Sequence, residues 1–128
     1  MHAPFLKVRP GKYAVTAVLE RHREESKILF PGAAIARSMD ELLQHDAELV
    51  IITTPNDSHF SYAKAAMLAG KHVVVDKPFT ITSAEAYELM ELNRQTKKIL
   101  SVFQNRRYVT DFLTIKEILE KNLLGSIH

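Results

Sequence analysis

The chain has 128 residues, 46% hydrophobic and 25% charged, and its 17 lysines and arginines against 15 aspartates and glutamates give a formal charge of +2. This length suits one domain, and so small a positive balance argues against nucleic acid or an acidic membrane as a partner. The absence of cysteine excludes disulfides and thiolate metal sites and is compatible with a cytoplasmic location. We find neither an apolar run of roughly eighteen residues nor a signal-peptide order at Met1.

The first third of the chain contains short elements. Residues 1–12 show no sustained period, whereas the apolar run Tyr13 to Leu19 favours a buried strand. Ser38 with Glu41 three residues later is typical of a capping box that opens a helix. The elements predicted up to residue 45 are the strand over 13–19, a short helix over 23–30, a weak strand over 34–36 and a short helix from Ser38 to about His45.

The central stretch, 49–79, has the order of a strand, a polar turn, a helix and a second strand. The strands are expected at 49–52 and 73–75. The helix is expected to be capped by Asn56 or Asp57, to place Phe60, Ala63 and Met67 on one face and to end at Gly70. Such a βαβ unit is right-handed with parallel strands, so both polar turns lie at the edge where open α/β sheets bind ligands.

The last third continues the alternation of helices and strands. Thr82 with Glu85 predicts a second capping box, opening a helix that has Ala86, Leu89 and Met90 at i, i+3 and i+4. A strand is expected over 99–103, then a helix over 110–123 with Phe112, Ile115 and Leu119 inward, closing at Gly125. The chain therefore reads as an α/β protein with a doubly wound parallel sheet covered on both faces.

Lys77 follows the second central strand, between Asp76 and Pro78. An ammonium group there could bind an anionic cofactor or handle a substrate proton, with Asp76 as its ionic partner. The alternative is a surface lysine in a turn, with a surface ion pair of small effect. Pro78 could be cis, although most peptide bonds before proline are trans.

The turn after the first central strand carries hydroxyl, amide and backbone N–H groups at a helix N-terminus, which suits a phosphate or a ribose. These groups belong to Thr53, Thr54, Pro55 and Asn56. Plain capping is the alternative use. His59 follows in the first turn of the helix and is as well explained by solvent as by a ligand. The six histidines form no H-x-x-x-H pair, so no metal is assigned.

Two further groups end strands at the same predicted edge. In dinucleotide-binding folds an acid such as Glu20 takes the ribose hydroxyls of NAD, whereas an arginine such as Arg21 accommodates the extra phosphate of NADP. Both are present, so the choice stays open. Gln104, Arg106 and Arg107 follow the last strand and could meet phosphate or substrate, or could pack at a helix end.

The stretch ELVIITTPNDSHFSYAKAAMLAGKHVVVDKPF closely resembles the N-terminal half of the Gfo/Idh/MocA oxidoreductases, which are NAD(P)-dependent dehydrogenases of sugars and inositols. The typical E-K-P of that family appears here as Asp76-Lys77-Pro78, and the resemblance runs from Tyr13 through QNRRY (104–108). It implies that Thr53 to Asn56 and His59 line the cofactor. It also implies that Lys77 lies beside the nicotinamide, with Glu20 and Arg21 facing the adenosine ribose.

The resemblance also implies two departures. The family begins with a strand and a G-x-G-x-x-G turn, and this chain has neither; MHAPFL resembles the middle of the helix that follows those glycines. In the strand order 3-2-1-4-5-6 the missing strand is central, so its two neighbours would be left with unpaired edges. The family's C-terminal domain supplies the substrate pocket, an Asp/His pair and an oligomerising sheet, and it is absent beyond His128.

These observations predict that residues 1–128 are an incomplete dinucleotide-binding domain of an NAD(P)-dependent sugar, inositol or polyol dehydrogenase, inactive alone. A homo-oligomer is compatible with the family, but its usual interface is absent. A second interpretation is a non-functional truncated gene product. A third is a receiver-like phosphoacceptor domain, suggested by Lys77-Pro78-Phe79. It lacks an acceptor aspartate at the end of strand 49–52 and has too many residues after the proline.

Overall fold

The computed structural model describes residues 2–125, which form an α/β fold. Five strands are β1 (Ala17–Leu19), β2 (Ala34–Ala36), β3 (Leu49–Ile52), β4 (His72–Asp76) and β5 (Leu100–Phe103). Five α-helices are α1 (His2–Lys7), α2 (Met39–Leu43), α3 (His59–Leu68), α4 (Ser83–Thr96) and α5 (Thr110–Glu120). Short 3₁₀ helices cover Glu25–Ile28, Asn56–Ser58 and Asn105–Tyr108.

The strands form two parallel sheets, one with the order β1-β2 and one with the order β3-β4-β5. Right-handed crossovers in one direction place α2, α3 and α4 on the same side of the strands. The predicted α/β class with parallel strands is therefore confirmed. Within residues 2–125, β1 and β3 each pair on one side only, which confirms the expected pair of unpaired interior edges.

The core lies between the three-stranded sheet and helices α3 and α4. Along β3 and β4, buried residues alternate with residues that are half-buried or exposed, because successive side chains of a strand point to opposite faces. The buried cluster comprises Val50, Ile52, Ala63, Ala66, Met67, Val73, Val75 and Leu89. Side chains of α2 pack against this cluster, so α2, α3 and α4 share one apolar layer.

The helix ends largely follow the predicted chemistry. Thr82 and Glu85 form a complete capping box, and the Ser38 hydroxyl accepts from the Glu41 backbone N–H. Gly70 has a φ of +76°, a conformation that favours glycine, and it follows the end of helix α3 as expected. The predicted cap of α3 by Asn56 or Asp57 is wrong, because these residues begin a 3₁₀ turn and neither side chain caps the helix.

Other boundaries differ from the prediction. The strand expected over 13–19 is only Ala17–Leu19, because β2 offers three residues to pair with it. The helix expected over 23–30 is one 3₁₀ turn. The helix from Thr110 ends at Glu120, and its predicted inward side chains are wrong. Phe112, Ile115 and Leu119 are 42%, 56% and 48% exposed.

The start of the chain agrees with the family resemblance. Residues His2–Lys7 form α1, as expected of a segment similar to the middle of a helix; Met1 lies outside the described residues. On α4, Leu89 is fully buried whereas Met90 is 45% exposed. The buried face of α4 is therefore narrower than the predicted face, which included Met90. Within residues 2–125 no helix is long and apolar enough to cross a membrane.

Candidate functional site

The predicted site residues gather at one edge of the fold, where the strands have their carboxyl ends. The register pairs Ile52 with Val75 and Asp76 with Phe103, so the turns after β3, β4 and β5 leave the sheet side by side. Arg21 lies in the turn after β1, in the two-stranded sheet. Its guanidinium donates to the Tyr62 hydroxyl on α3 at 3.0 Å, so this turn lies near the same edge. Four polar turns therefore surround one edge.

His59 joins two of these turns. Its side chain is 1% exposed, with Nδ1 2.7 Å from the Pro78 carbonyl oxygen and Nε2 2.9 Å from the Thr54 carbonyl oxygen. A neutral imidazole has a single N–H and donates to one carbonyl, whereas the doubly protonated ring donates to both. His59, for which the sequence left a solvent role and a ligand role open, is thus a buried bridge between the β3 turn and the β4 turn.

The β3 turn holds its own polar groups in order. The Ser58 hydroxyl lies 2.6 Å from the Thr54 hydroxyl and 2.6 Å from the Pro55 carbonyl oxygen. Thr53 and Asn56 are exposed at the edge. The turn therefore presents Thr53 and Asn56 to solvent on a backbone that Ser58 and His59 hold.

Lys77 is exposed at the end of β4, and its ammonium group takes part in no ion pair among residues 2–125. The expected ion pair with Asp76 is wrong. The Asp76 carboxylate instead accepts from the backbone N–H of Lys77 at 3.0 Å. The Lys77–Pro78 bond is cis, one of the two alternatives left open. The ammonium group is therefore available to a ligand.

Glu20 and Arg21 occupy different surroundings. One carboxylate oxygen of Glu20 accepts from the Ser26 backbone N–H at 2.9 Å, and the other is buried with no hydrogen-bond partner. Glu20 is thus turned toward the 3₁₀ helix at 25–28. Arg21 is exposed, so at the end of β1 the cation faces outward and the acid faces inward.

The turn after β5 is cationic and exposed. Arg106 approaches Asp111 at 3.8 Å, with both side chains more than two-thirds exposed, so this ion pair is worth little. Gln104 is exposed, and its carbonyl oxygen accepts from the Arg107 backbone N–H at 3.1 Å. Together with Lys77 and Arg21, this turn provides hydrogen-bond donors suited to an anionic ligand.

Sequence reasoning missed the residues that organise these turns. Arg37, directly after β2, donates to the carbonyl oxygens of Glu20 and Arg23 at 2.9 and 2.8 Å. Its guanidinium also pairs with the Glu24 carboxylate at 2.5 Å. Tyr62 lies one helical turn after His59, a spacing that places both on one face of α3. No local pattern indicates the distant partners of either residue.

His2 is a further polar residue near this edge. Its ring contacts that of Phe103 at the end of β5 in a tilted arrangement, with centroids 4.4 Å apart and an interplanar angle of 57°, and its Nε2 is buried without a partner. Burial lowers the pKa of His2 below its usual 6.5, against the opposing attraction of Asp76. The ring is therefore favoured in its neutral form.

The exposed donors at the edge fit a phosphate-bearing dinucleotide. These donors lie on four turns, and three of the residues, Arg21, Lys77 and Arg106, are positively charged. Within residues 2–125, no three histidine, aspartate or glutamate side chains are grouped to hold a metal ion.

Comparison with known proteins agrees with this geometry. The model of an oxidoreductase family with an NAD-binding Rossmann fold, GFO_IDH_MocA, matches residues 1–104. The uncharacterized oxidoreductase YdgJ of Escherichia coli K12 is 41% identical over 127 residues, and the match covers 98% of this chain and 36% of that protein.

Two further relatives extend the comparison. The scyllo-inositol 2-dehydrogenase (NADP(+)) IolW of Bacillus subtilis is 38% identical, and the match covers 99% of this chain and 36% of IolW. The WlbA dehydrogenase from Chromobacterium violaceum, solved with NADH and UDP-GlcNAcA, superposes with a TM-score of 0.88 at 23% identity. That match covers 99% of this chain and 38% of WlbA. The chain thus spans little more than a third of the length of these proteins.

Proposed function

The chain belongs to the Gfo/Idh/MocA family of NAD(P)-dependent oxidoreductases, and from that premise we propose that it is the cofactor-binding part of a sugar, inositol or polyol dehydrogenase, inactive alone. The observation that carries the proposal is the edge at which four polar turns meet, two of them joined by His59 between Thr54 and Pro78. Ligands of open α/β sheets bind at this edge.

Cofactor contacts are proposed for the exposed and turn residues of this edge. Thr53, Thr54, Pro55 and Asn56 would face the dinucleotide with hydroxyl, amide and backbone groups, and Gln104 and Arg106 would approach it from the β5 turn. The outward guanidinium of Arg21 would supply positive charge for the additional phosphate of NADP, and the free ammonium of Lys77 would lie beside the nicotinamide. Asp76, Pro78 and His59 act indirectly by holding the turns that carry these groups.

Lys77 is the proposed catalytic residue. A bound nicotinamide supplies the hydride acceptor for oxidation of a carbon that bears a hydroxyl group. Lys77 would hydrogen-bond to that hydroxyl oxygen and handle its proton as the hydride leaves, since lysine is one of the side chains that serve in general acid–base catalysis when placed within hydrogen-bond reach of the reacting group. This role needs Lys77 exposed at the edge, as it is here.

The substrate class is proposed from the relatives. IolW is a scyllo-inositol 2-dehydrogenase, so a relative that is 38% identical to this chain acts on a polyhydroxylated ring. A substrate pocket contributed by further sequence is proposed for the complete enzyme, since this chain spans little more than a third of these relatives.

Calorimetric titration of the folded chain with NADP⁺ and then NAD⁺ tests cofactor binding. We expect saturable binding that Lys77→Met weakens about tenfold, because a hydrogen bond to a charged group is lost. Lys116→Met is the matched control, since Lys116 lies on α5 with Glu120 as its ionic partner. Absence of saturable heat from a chain that melts cooperatively would refute the proposal.

Inactivity in isolation needs its own measurement. Purified chain mixed with NAD(P)⁺ and inositol or glucose is expected to produce no NAD(P)H at the roughly 1 s⁻¹ or faster typical of enzymes. Turnover at such a rate would contradict this part of the proposal. A folded chain that binds no dinucleotide would instead favour the second candidate, a non-functional truncated product. The receiver-like interpretation is not retained, because the matching family is one of oxidoreductases.

A further inference from the structure

The segment after β1 contains three acids, and none of them pairs with Arg21. Glu24 and Glu25 form ion pairs with other arginines of the chain. The Glu20 carboxylate accepts from a backbone N–H of the 3₁₀ helix that follows. The Arg21 guanidinium therefore keeps its positive charge available, although acids lie close to it in the sequence.

A neutral group holds the Arg21 side chain instead. The Tyr62 hydroxyl accepts from Nη2 of Arg21 at 3.0 Å, between residues 41 positions apart in the chain. Because a phenol is uncharged, this hydrogen bond orients the guanidinium without neutralising it. It uses one of the five N–H groups of the arginine, so four remain for an anionic ligand.

Tyr62 is itself held in place. It lies one helical turn after the buried His59 on α3, and its half-buried side chain packs against the hydrophobic core cluster. An exposed arginine samples many rotamers, and ordering it on ligand binding costs conformational entropy. The contact with Tyr62 restricts Arg21 before a ligand arrives, and such preorganisation raises affinity.

The location of Arg21 gives this restriction a consequence for cofactor choice. In dinucleotide-binding folds an acid at the end of this strand takes the ribose hydroxyls of NAD, whereas an arginine accommodates the additional phosphate of NADP. One carboxylate oxygen of Glu20 is bonded to the Ser26 backbone and the other is buried. The side chain presented at this edge is therefore the arginine and not the acid.

We propose that Tyr62 is a positioning residue that holds the Arg21 guanidinium for the additional phosphate of NADP, and that this pair makes the chain prefer NADP⁺ to NAD⁺. The inference rests on the proposed function, because it concerns the same dinucleotide edge. Tyr62 acts through Arg21 and not through a phosphate contact of its own. Its effect is therefore confined to NADP⁺, since NAD⁺ carries a hydroxyl where NADP⁺ carries the phosphate.

Calorimetric titration of the full chain and of Tyr62→Phe with NADP⁺ and with NAD⁺ tests the proposal. The phenylalanine keeps the ring and its packing and removes only the hydroxyl. We expect the parent chain to bind NADP⁺ about tenfold more tightly than NAD⁺. Tyr62→Phe should weaken NADP⁺ binding by about three- to tenfold and leave NAD⁺ binding within about twofold. Tyr87→Phe is the matched control and should change neither affinity, because Tyr87 is 70% exposed on α4.

Two further measurements separate positioning from a merely structural role. The double variant Arg21→Gln with Tyr62→Phe should bind NADP⁺ no more weakly than Arg21→Gln alone, because Tyr62 then has no guanidinium to hold. Without any ligand, the ¹⁵N NMR order parameter of the Arg21 Nε–H group should fall in Tyr62→Phe and stay unchanged in Tyr87→Phe. A residue that only supported the fold would change the affinities for both dinucleotides together.

Several results would overturn the inference and leave the proposed function in place. They are equal affinity of the parent chain for the two dinucleotides, an equal loss of both in Tyr62→Phe, and an unchanged order parameter of Arg21. Tighter NADP⁺ binding by Tyr62→Phe would mean that Tyr62 competes with the phosphate for Arg21. Additive losses in the double variant would mean that Tyr62 contacts the phosphate itself. A folded chain that binds neither dinucleotide would overturn the proposed function and this inference together.

Discussion

The buried imidazole of His59 lies 2.7 Å from the carbonyl oxygen of Pro78. Through its other nitrogen it reaches the Thr54 carbonyl, so one side chain holds two turns that local sequence presents as separate. The proposed cofactor surface therefore depends on a residue that is itself almost fully covered.

Replacing His59 with leucine should destabilise the chain by about 1–3 kcal/mol, because the carbonyl oxygen that accepts from the buried ring N–H loses its partner. Urea unfolding followed by circular dichroism measures this. His22→Gln serves as the control, since His22 is exposed and should change the stability by less than about 0.5 kcal/mol. Equal stability of His59→Leu and the parent chain would show that the bridge does not matter.

The stability should fall as the pH falls from about 7 to 5. Burial lowers the pKa of His2 below 6.5 in the folded chain, so in that window the unfolded chain binds the proton first. Protonation therefore favours unfolding. In His2→Gln this part of the pH dependence should disappear, which urea midpoints at pH 5 and pH 7.5 can check. An unchanged pH dependence of stability in His2→Gln would mean that other groups cause it.

Leu89→Ala should cost about 2–5 kcal/mol, because Leu89 is fully buried against the sheet and the truncation leaves a cavity. Met90→Ala, one residue along α4 and 45% exposed, should cost far less. Comparing the two unfolding midpoints tests whether α4 is docked as described. Similar losses in both variants would contradict that orientation.

Thr82→Ala should lower the stability by about 1 kcal/mol, because its hydroxyl accepts from the Glu85 N–H at the start of α4. Thr82→Ser retains that acceptor and should preserve most of the stability. Thermal unfolding distinguishes the two. A serine variant as unstable as the alanine variant would mean that the methyl group, and not the cap, is what matters.

Arg21→Gln should weaken NADP⁺ binding about tenfold and leave NAD⁺ binding nearly unchanged, if the exposed guanidinium receives the additional phosphate. Arg23→Gln is the control, because Arg23 is exposed nearby and pairs with Glu25. Calorimetry with both dinucleotides gives the ratio. Equal weakening of NAD⁺ and NADP⁺ binding would indicate that Arg21 contacts a group that the two cofactors share.

Elements whose signals are local were predictable. The bounds of β3 match the apolar run before the Thr53 turn, and Gly70 and the Thr82 capping box mark the ends of helices where expected. Their physical causes, a backbone conformation or a contact three residues away, lie within the printed sequence of the element itself.

The failures concern partners distant in the chain. The spacing of Phe112, Ile115 and Leu119 identified an apolar face of α5, but spacing does not say what covers it, and among the described residues it stays largely exposed. The Asp76 error is different in kind, because its carboxylate accepts from the backbone N–H of the adjacent Lys77 and does not pair with the ammonium group. The contacts of His59 and Arg37 join residues up to 19 positions apart, which no local pattern reveals.

Arg37 has a consequence for protein engineering. In dinucleotide-binding folds the residue at the end of this strand distinguishes NAD from NADP, and that role is proposed here for Glu20 and Arg21. The path of that loop is held from β2 by the Arg37 guanidinium, which binds carbonyl oxygens of Glu20 and Arg23. A library that randomises residues 20–23 should therefore retain Arg37, because without it the new side chains would be displayed on a different backbone.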